Sequence, residues 1–133
     1  MKYMLLMQAS DRIDAPPIHT WDPADLTAHM QFMHDVNAKL VADGELVDAQ
    51  GLAGPDEAKV VRATKTGTSE VTDGPFPESK EFLAGYWVID VESQDRAIAL
   101  AAAISLAPCA SDISWKPSIS HVIIATIWMS LRE

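Results

Sequence analysis

The chain has 133 residues, a length that suits one domain with its own hydrophobic core. Hydrophobic residues make up 48% of the sequence, which argues against intrinsic disorder. The formal net charge is −9, from 10 Lys and Arg against 19 Asp and Glu, and no basic cluster of the kind that binds nucleic acids or anionic membranes is present.

The cysteine content and the chain ends indicate a soluble cytoplasmic protein. Cys109 is the one cysteine, which rules out an internal disulfide and fits a reducing compartment. The apolar runs 1–7 and 122–129 are too short for a signal peptide or a membrane span. We therefore expect the partners to be small molecules or another protein subunit, and neither nucleic acid nor membrane.

The beginning of the sequence predicts a strand and a helix. Residues 2–8 form a short apolar run typical of a buried strand. The helix has Asp22 as its N-cap, Pro23 at its first position and Gly44 as its stop signal. Its sheet-facing stripe is predicted from apolar residues at helical spacing: Leu26, Met30, Met33, Leu40 and Val41.

Four more strands are predicted in the centre of the sequence. The first covers residues 45–52. The segments 58–65 and 69–72 flank a turn at Thr66-Gly67-Thr68 and predict a hairpin. Residues 82–91 contain consecutive aromatic and β-branched side chains, which favour a strand, and Gly85 within it indicates a bulge or a close approach.

The last third predicts a second helix and a final strand. Ser93 can cap a helix over residues 94–106, and residues 109–120 are irregular. Residues 121–129 are nearly all apolar or β-branched and predict a well-buried strand. The predicted sheet-facing side of this helix is Ala97, Ile98, Ala101, Ala102 and Ser105.

The resulting order, β-α-β-β-β-β-α-β, predicts a single α+β domain over residues 1–133, a ferredoxin-like sandwich with extra strands. With both helices on one face of the sheet, the other face remains uncovered. A second copy of the chain is the simplest cover, so we expect a homodimer.

One motif links the hairpin to the aromatic strand: Thr72, Asp73, Gly74, Pro75 and Phe76. Asp-Gly is a turn signal, and Pro75 removes a backbone donor and restricts Gly74. One interpretation is a rigid loop with a solvated Asp73. The other is a stiff loop that holds Asp73 at the mouth of a pocket.

This motif and its surroundings resemble the YCII-related group, specifically its DGPF-domain branch. The resemblance covers about residues 1–106, and the matching segments are 40–46, 51–52, 72–76, 78–81, 85–89 and 93–98. It implies a dimeric α/β barrel with pockets near the interface. It implies no settled reaction: a His–Asp pair has been proposed as catalytic in the wider group, a dechlorinating enzyme acting on chlorinated hydroxyquinols resembles it, and other members are linked with sigma-factor regulation.

The C-terminal part departs from this group. Its members usually end with a short charged strand, whereas residues 107–133 contain Trp115-Lys116-Pro117 followed by the apolar run. The atypical segment is either a feature of this branch or the product of a different reading frame.

Two polar residues of the first helix are candidates for the site. His34 lies at the edge of the apolar stripe, and is either a boundary residue filling a groove or a general acid/base oriented by Asp73. Asn37 falls inside the stripe, and is either a hydrogen-bonded core amide or a pocket-lining donor. His29 lies on the opposite flank, where we expect it at the surface.

The aromatic residues near the motif are Phe76, Tyr86 and Trp87. Trp87 shares one strand face with Ile89, and Tyr86 lies on the other, so they belong either to core and interface or to a ligand-stacking wall. Asp48 would join the pocket if its strand face turned inward. No histidine pair has the spacing of a helical metal clamp, and no phosphate-binding glycine loop or serine elbow is present, so we expect no metal and no cofactor.

Three hypotheses for the function follow. The first is a homodimer with an interfacial pocket, in which His34 and Asp73 carry out acid–base chemistry on a small organic molecule. The second is a non-catalytic ligand-binding or regulatory module. The third is a purely structural dimerisation domain.

Overall fold

The computed structural model describes residues 1–10, 18–74, 81–108 and 121–127. Its helices and strands are β1 (Lys2–Ser10), α1 (Pro23–Ala42), β2 (Leu46–Gly51), β3 (Lys59–Ala63), β4 (Ser69–Asp73), β5 (Glu81–Asp90), α2 (Gln94–Ile104) and β6 (His121–Thr126), with short 3₁₀ turns at Ile18–Thr20 and Pro55–Glu57. The predicted types and order of these elements are confirmed. Pro75, Phe76, Cys109, Trp115 and the end of the predicted last strand lie outside the described residues.

The strands form two antiparallel sheets. The main sheet has the order β2-β5-β1-β6, and β3 and β4 form a separate two-stranded sheet. Without this hairpin the chain follows β-α-β-β-α-β, the connectivity of a ferredoxin-like domain. The predicted α+β class is confirmed. Within the described residues the main sheet is open, and the dimeric α/β barrel stays a prediction.

The hydrophobic core lies between the main sheet and the two helices. Alternate residues of the central strands point to the helices because successive side chains of a strand face opposite sides. Leu5 and Ile89 contribute from neighbouring strands, and Leu40 and Ile104 contribute from the helices. The predicted face shared by Trp87 and Ile89 is this core face.

Helix α1 begins and ends as predicted but buries a different stripe. Asp22 occupies the N-cap, Pro23 is the first helical residue, and Gly44 follows the helix with a φ of 70°. The predicted core residues Met30 and Val41 are exposed. The stripe that faces the core consists of His29, Phe32, Met33, Val36 and Leu40. Each exposed residue follows a stripe residue by one position, which rotates it about 100° around the helix.

Helix α2 is capped as predicted, since Ser93 Oγ accepts a hydrogen bond of 3.2 Å from the Arg96 backbone N–H. Its predicted sheet-facing side is correct for Ala97 and Ala101 and wrong for Ile98 and Ala102, which are exposed. Leu100 and Ile104 are buried instead, because the side that faces the sheet follows the helical spacing i, i+3, i+4, i+7 from Ala97.

Strand β6 is less buried than its composition predicted. It is an edge strand that pairs on one side with β1. Val122 and Ile124 pack against the core, but Ile123 points to the opposite face and is 43% exposed. The prediction of a well-buried strand was therefore wrong, because the described part of the chain places no covering layer on that face.

We call this opposite side of the main sheet the helix-free face. Its centre is apolar and carries residues from three strands: Met4, Leu6, Val88, Ile123 and Ala125. All except Ile123 are half-buried in the single chain.

A charged pair connects α2 to Glu45, the residue before β2. Arg96 Nε and Nη2 each donate a 2.8 Å hydrogen bond to one carboxylate oxygen of Glu45. These hydrogen bonds lower the pKa of Glu45 and raise the pKa of Arg96. The two-point contact fixes the orientation of both side chains.

Gly85 confirms the predicted irregularity in β5. The register of β1 against β5 shifts here, with Met7 opposite Gly85 and Gln8 opposite Leu83. A Cβ atom on Gly85 would lie 2.7 Å from the Gln50 carbonyl oxygen, so the neighbouring strand approaches too closely for a side chain.

Candidate functional site

Asp73 is the last residue of the hairpin strand β4. It lies opposite Lys59 in the strand register, and its carboxylate forms an ion pair with Lys59 Nζ. The Asp73 side chain is 87% exposed, so this pair lies in solvent and stabilises the hairpin only weakly.

Gly74 brings the motif close to β3. Its backbone N–H donates a 3.0 Å hydrogen bond to the Ala58 carbonyl. A Cβ atom on Gly74 would lie 2.6 Å from Val60 Cγ2, which explains why glycine suits this position. The described part of the motif therefore runs beside Ala58, a residue of the cleft described next.

A cleft of about 560 Å³ lies where the hairpin leaves the main sheet. Its walls come from the end of β1, the beginning of β5 and the link between β2 and β3. The lining residues are Gln8, Leu52, Ala53, Gly54, Pro55, Glu57, Ala58, Phe82 and Leu83. This volume is in the range of small-molecule sites, and the lining is mostly apolar.

His34 lies on a different surface. It is exposed on α1 and lines a groove of about 340 Å³ together with Leu26, Thr27, Met30 and Gln31. Neither His34 nor Asp73 lines the larger cleft. Among the described residues no hydrogen bond or ion pair joins these two side chains, so the single chain does not form the predicted pair directly.

Asn37 is a hydrogen-bonded amide at the boundary of the core. Its Oδ1 accepts a 2.8 Å hydrogen bond from Trp87 Nε1. The indole is 5% exposed, and this contact provides the acceptor that a buried N–H requires. Asn37 and Trp87 therefore connect α1 to β5.

Tyr86 lies on the helix-free face, on the opposite side of β5 from Trp87. Its hydroxyl donates a long 3.4 Å hydrogen bond to Asp48 Oδ2. Asp48 Oδ1 accepts from the Ala49 backbone and from Gln50 Nε2. The structure thus places a polar cluster beside the apolar residues of this face, and Asp48 is half-buried there.

His29 corrects a prediction from the sequence. We expected a surface residue, but His29 is 6% exposed. Its Nδ1 lies 2.8 Å from the Pro108 carbonyl oxygen, and since a carbonyl only accepts, Nδ1 carries the proton. Trp21 packs edge-on against the ring at a centroid distance of 5.3 Å. The helical spacing of His29 with Phe32 and Met33 is the signal that could have identified it as buried.

The described residues contain no group of three or more His, Cys, Asp or Glu side chains that could hold a metal ion. In the same ranges, neither helix combines the length and hydropathy needed to span a bilayer.

Comparison with known proteins identifies the family of the chain. The model of the YCII-related domain matches residues 1–110. An uncharacterized protein of Rhizobium meliloti (strain 1021) is 33% identical over 85 residues, which cover 64% of this chain and 68% of the relative. Strand β6 lies beyond the matched range.

Proposed function

The chain belongs to the YCII-related domain family, and on that premise we propose that it is a one-domain homodimeric protein that binds a small molecule in the cleft at the hairpin junction. The relative is uncharacterized, so the geometry of the cleft carries the proposal.

Two features support the cleft as the ligand site. Its volume of about 560 Å³ is sufficient for a small organic molecule, and most of its lining is apolar. It also borders the described part of the sequence motif, since Gly74 is hydrogen-bonded to the lining residue Ala58. The motif would then shape the wall of the cleft through its backbone.

The helix-free face supports the homodimer. A second copy would cover the apolar side chains of this face, including the 43% exposed Ile123. The cleft residue Gln8 follows Leu6 on the same side of β1. The interface would therefore approach the cleft, as the family resemblance implies.

The cleft is tested with a pair of matched substitutions. Ala58→Trp places a large side chain in the cleft, whereas Ala38→Trp places the same side chain on the exposed surface of α1. In a thermal-shift and NMR screen of small aromatic compounds, we expect ligands of the wild type to lose binding in Ala58→Trp and to keep it in Ala38→Trp. Equal binding to both variants, or no binding to the wild type, contradicts the proposal.

The dimer is tested in the same manner. Ile123→Lys adds a charge to the helix-free face, and Ile98→Lys adds one to the outer side of α2, where the parent side chain is 50% exposed. Light scattering coupled to size exclusion should show a dimer for the wild type and Ile98→Lys, and a monomer for Ile123→Lys. A monodisperse wild-type monomer would refute the dimer.

The second candidate function is acid–base catalysis by His34 with Asp73 as its partner. The exposed imidazole in the α1 groove favours it, because a substrate can reach the ring. Since the single chain shows no hydrogen bond between the two residues, the pair would have to form through a bound ligand or a second copy. A turnover found in compound pools should be lost in both His34→Gln and Asp73→Asn and kept in Asp35→Asn. Turnover that persists in either of the first two variants removes that residue from the mechanism.

A further inference from the structure

We propose that the cleft selects ligands that join an apolar body to a cationic amine, and that it disfavours carboxylates of the same shape. This inference rests on the proposed function, because it names the ligand class of the same cleft. The preference follows from the charges of the described lining residues.

The apolar part of the ligand would contact the hydrophobic wall. Phe82 and Leu83 supply one side of the cleft from β5, and Leu52 and Pro55 supply the other from the link after β2. Phe82, Leu83 and Pro55 are half-buried, so a ligand would remove further apolar surface from water.

Glu57 supplies the charge. It lines the cleft from the 3₁₀ turn Pro55–Glu57, and its exposed carboxylate makes no hydrogen bond or ion pair with another described residue. Lys59, two positions further along, is already paired with Asp73. No lysine, arginine or histidine occurs among the described residues that line the cleft.

The whole chain reinforces the preference of the cleft. A formal net charge of −9 raises the local concentration of cations and repels anions. Because the Glu57 carboxylate is exposed, its attraction is screened by solvent and salt. We expect an amine to bind about 1.5- to 5-fold more tightly than its neutral analogue, and the ratio to fall as salt is added.

The experiment uses three probes with the same aromatic body: benzylamine, benzyl alcohol and benzoate. Their binding to the full chain is measured by NMR titration of the Gly54 and Ala58 backbone amides at low and high salt. We expect affinity to decrease in the order amine, alcohol, carboxylate. Glu57→Gln should bring the amine to the level of the alcohol and leave alcohol binding unchanged. The matched control, Glu70→Gln on the exposed hairpin strand β4, should keep the wild-type order.

The outcomes separate the ligand class from the site itself. If benzoate binds as tightly as benzylamine, or if Glu57→Gln keeps the amine preference, the proposed ligand class is refuted. The cleft is still supported as the binding site in that case, provided that Ala58→Trp abolishes the binding of the probes. If none of the three probes shifts the cleft amides, both proposals are overturned.

Discussion

Replacement of Asn37 by Leu removes the hydrogen-bond acceptor of the Trp87 indole while keeping a side chain of similar size. Trp87 Nε1 donates to Asn37 Oδ1 at 2.8 Å, and the indole is 5% exposed. A buried donor without an acceptor costs about 1–3 kcal/mol of the free energy of unfolding. Asn37 is half-buried and Leu adds apolar contact, so we expect a loss in the lower half of this range.

The loss is measurable by thermal and urea denaturation at a fixed protein concentration. With an unfolding entropy near 2.1 cal/mol/K per residue, a loss of about 1–2 kcal/mol lowers Tm by roughly 4–7 °C for a chain of this length. Trp87→Phe removes the donor from the other side of the same contact, at the cost of a smaller ring in the core.

A double-mutant cycle isolates the hydrogen bond from these packing effects. The combined variant Asn37→Leu/Trp87→Phe should be more stable than the sum of the single losses predicts, because the second substitution removes the group that the first leaves unpaired. Losses that add within about 0.3 kcal/mol would refute the view that this contact connects α1 to β5.

Two further substitutions test the charged pair and the strand irregularity. Arg96→Met should destabilise the protein near neutral pH and have less effect in acid. Because Arg96 lowers the pKa of Glu45, the stability that this pair contributes is complete above the pKa of Glu45 in the unfolded chain and is lost as pH falls through the lowered pKa of the folded state. Urea titrations near neutral pH and below about pH 4 would reveal this difference. An equal loss at every pH would contradict this. Gly85→Ala should lower the free energy of unfolding by about 1–3 kcal/mol, since its Cβ would contact the Gln50 carbonyl. The control Gly51→Ala, on the opposite strand, should change it by no more than about 0.5 kcal/mol because nothing lies within 4 Å of a Cβ at that position. Similar denaturation midpoints for the two glycine variants would exclude close strand approach as the reason for Gly85.

The buried face of α1 shows why burial was harder to predict than helix position. Asp22, Pro23 and Gly44 are local signals, and the helix begins and ends where they predict, although the Asp22 side chain makes no capping hydrogen bond. Which side of the helix is buried depends on where the sheet lies. The sequence placed Met30 in the core and His29 at the surface, whereas the structure buries His29 against Trp21 and Pro108 and leaves Met30 exposed.

In the candidate site, too, local features were predictable from the sequence and long-range contacts were not. The motif Thr72–Phe76, which the structure describes as far as Gly74, carries the resemblance to the YCII-related group, and the family match over residues 1–110 confirms this family. The cleft beside it is formed by segments far apart in the sequence, from Gln8 to Leu83, and no local pattern indicates that they meet. The roles proposed for His34 and Asp73 stay predictions.

The sequence by itself determined the order of the elements, the helix ends and the family, because caps, turn residues and hydrophobic periodicity act over a few neighbouring residues. Only the tertiary structure decided the strand order β2-β5-β1-β6, the burial of His29 and the apolar cleft with the Glu57 carboxylate at its wall. These features depend on contacts between residues distant along the chain, whose pairing is set by the packing of the whole sheet against its helices.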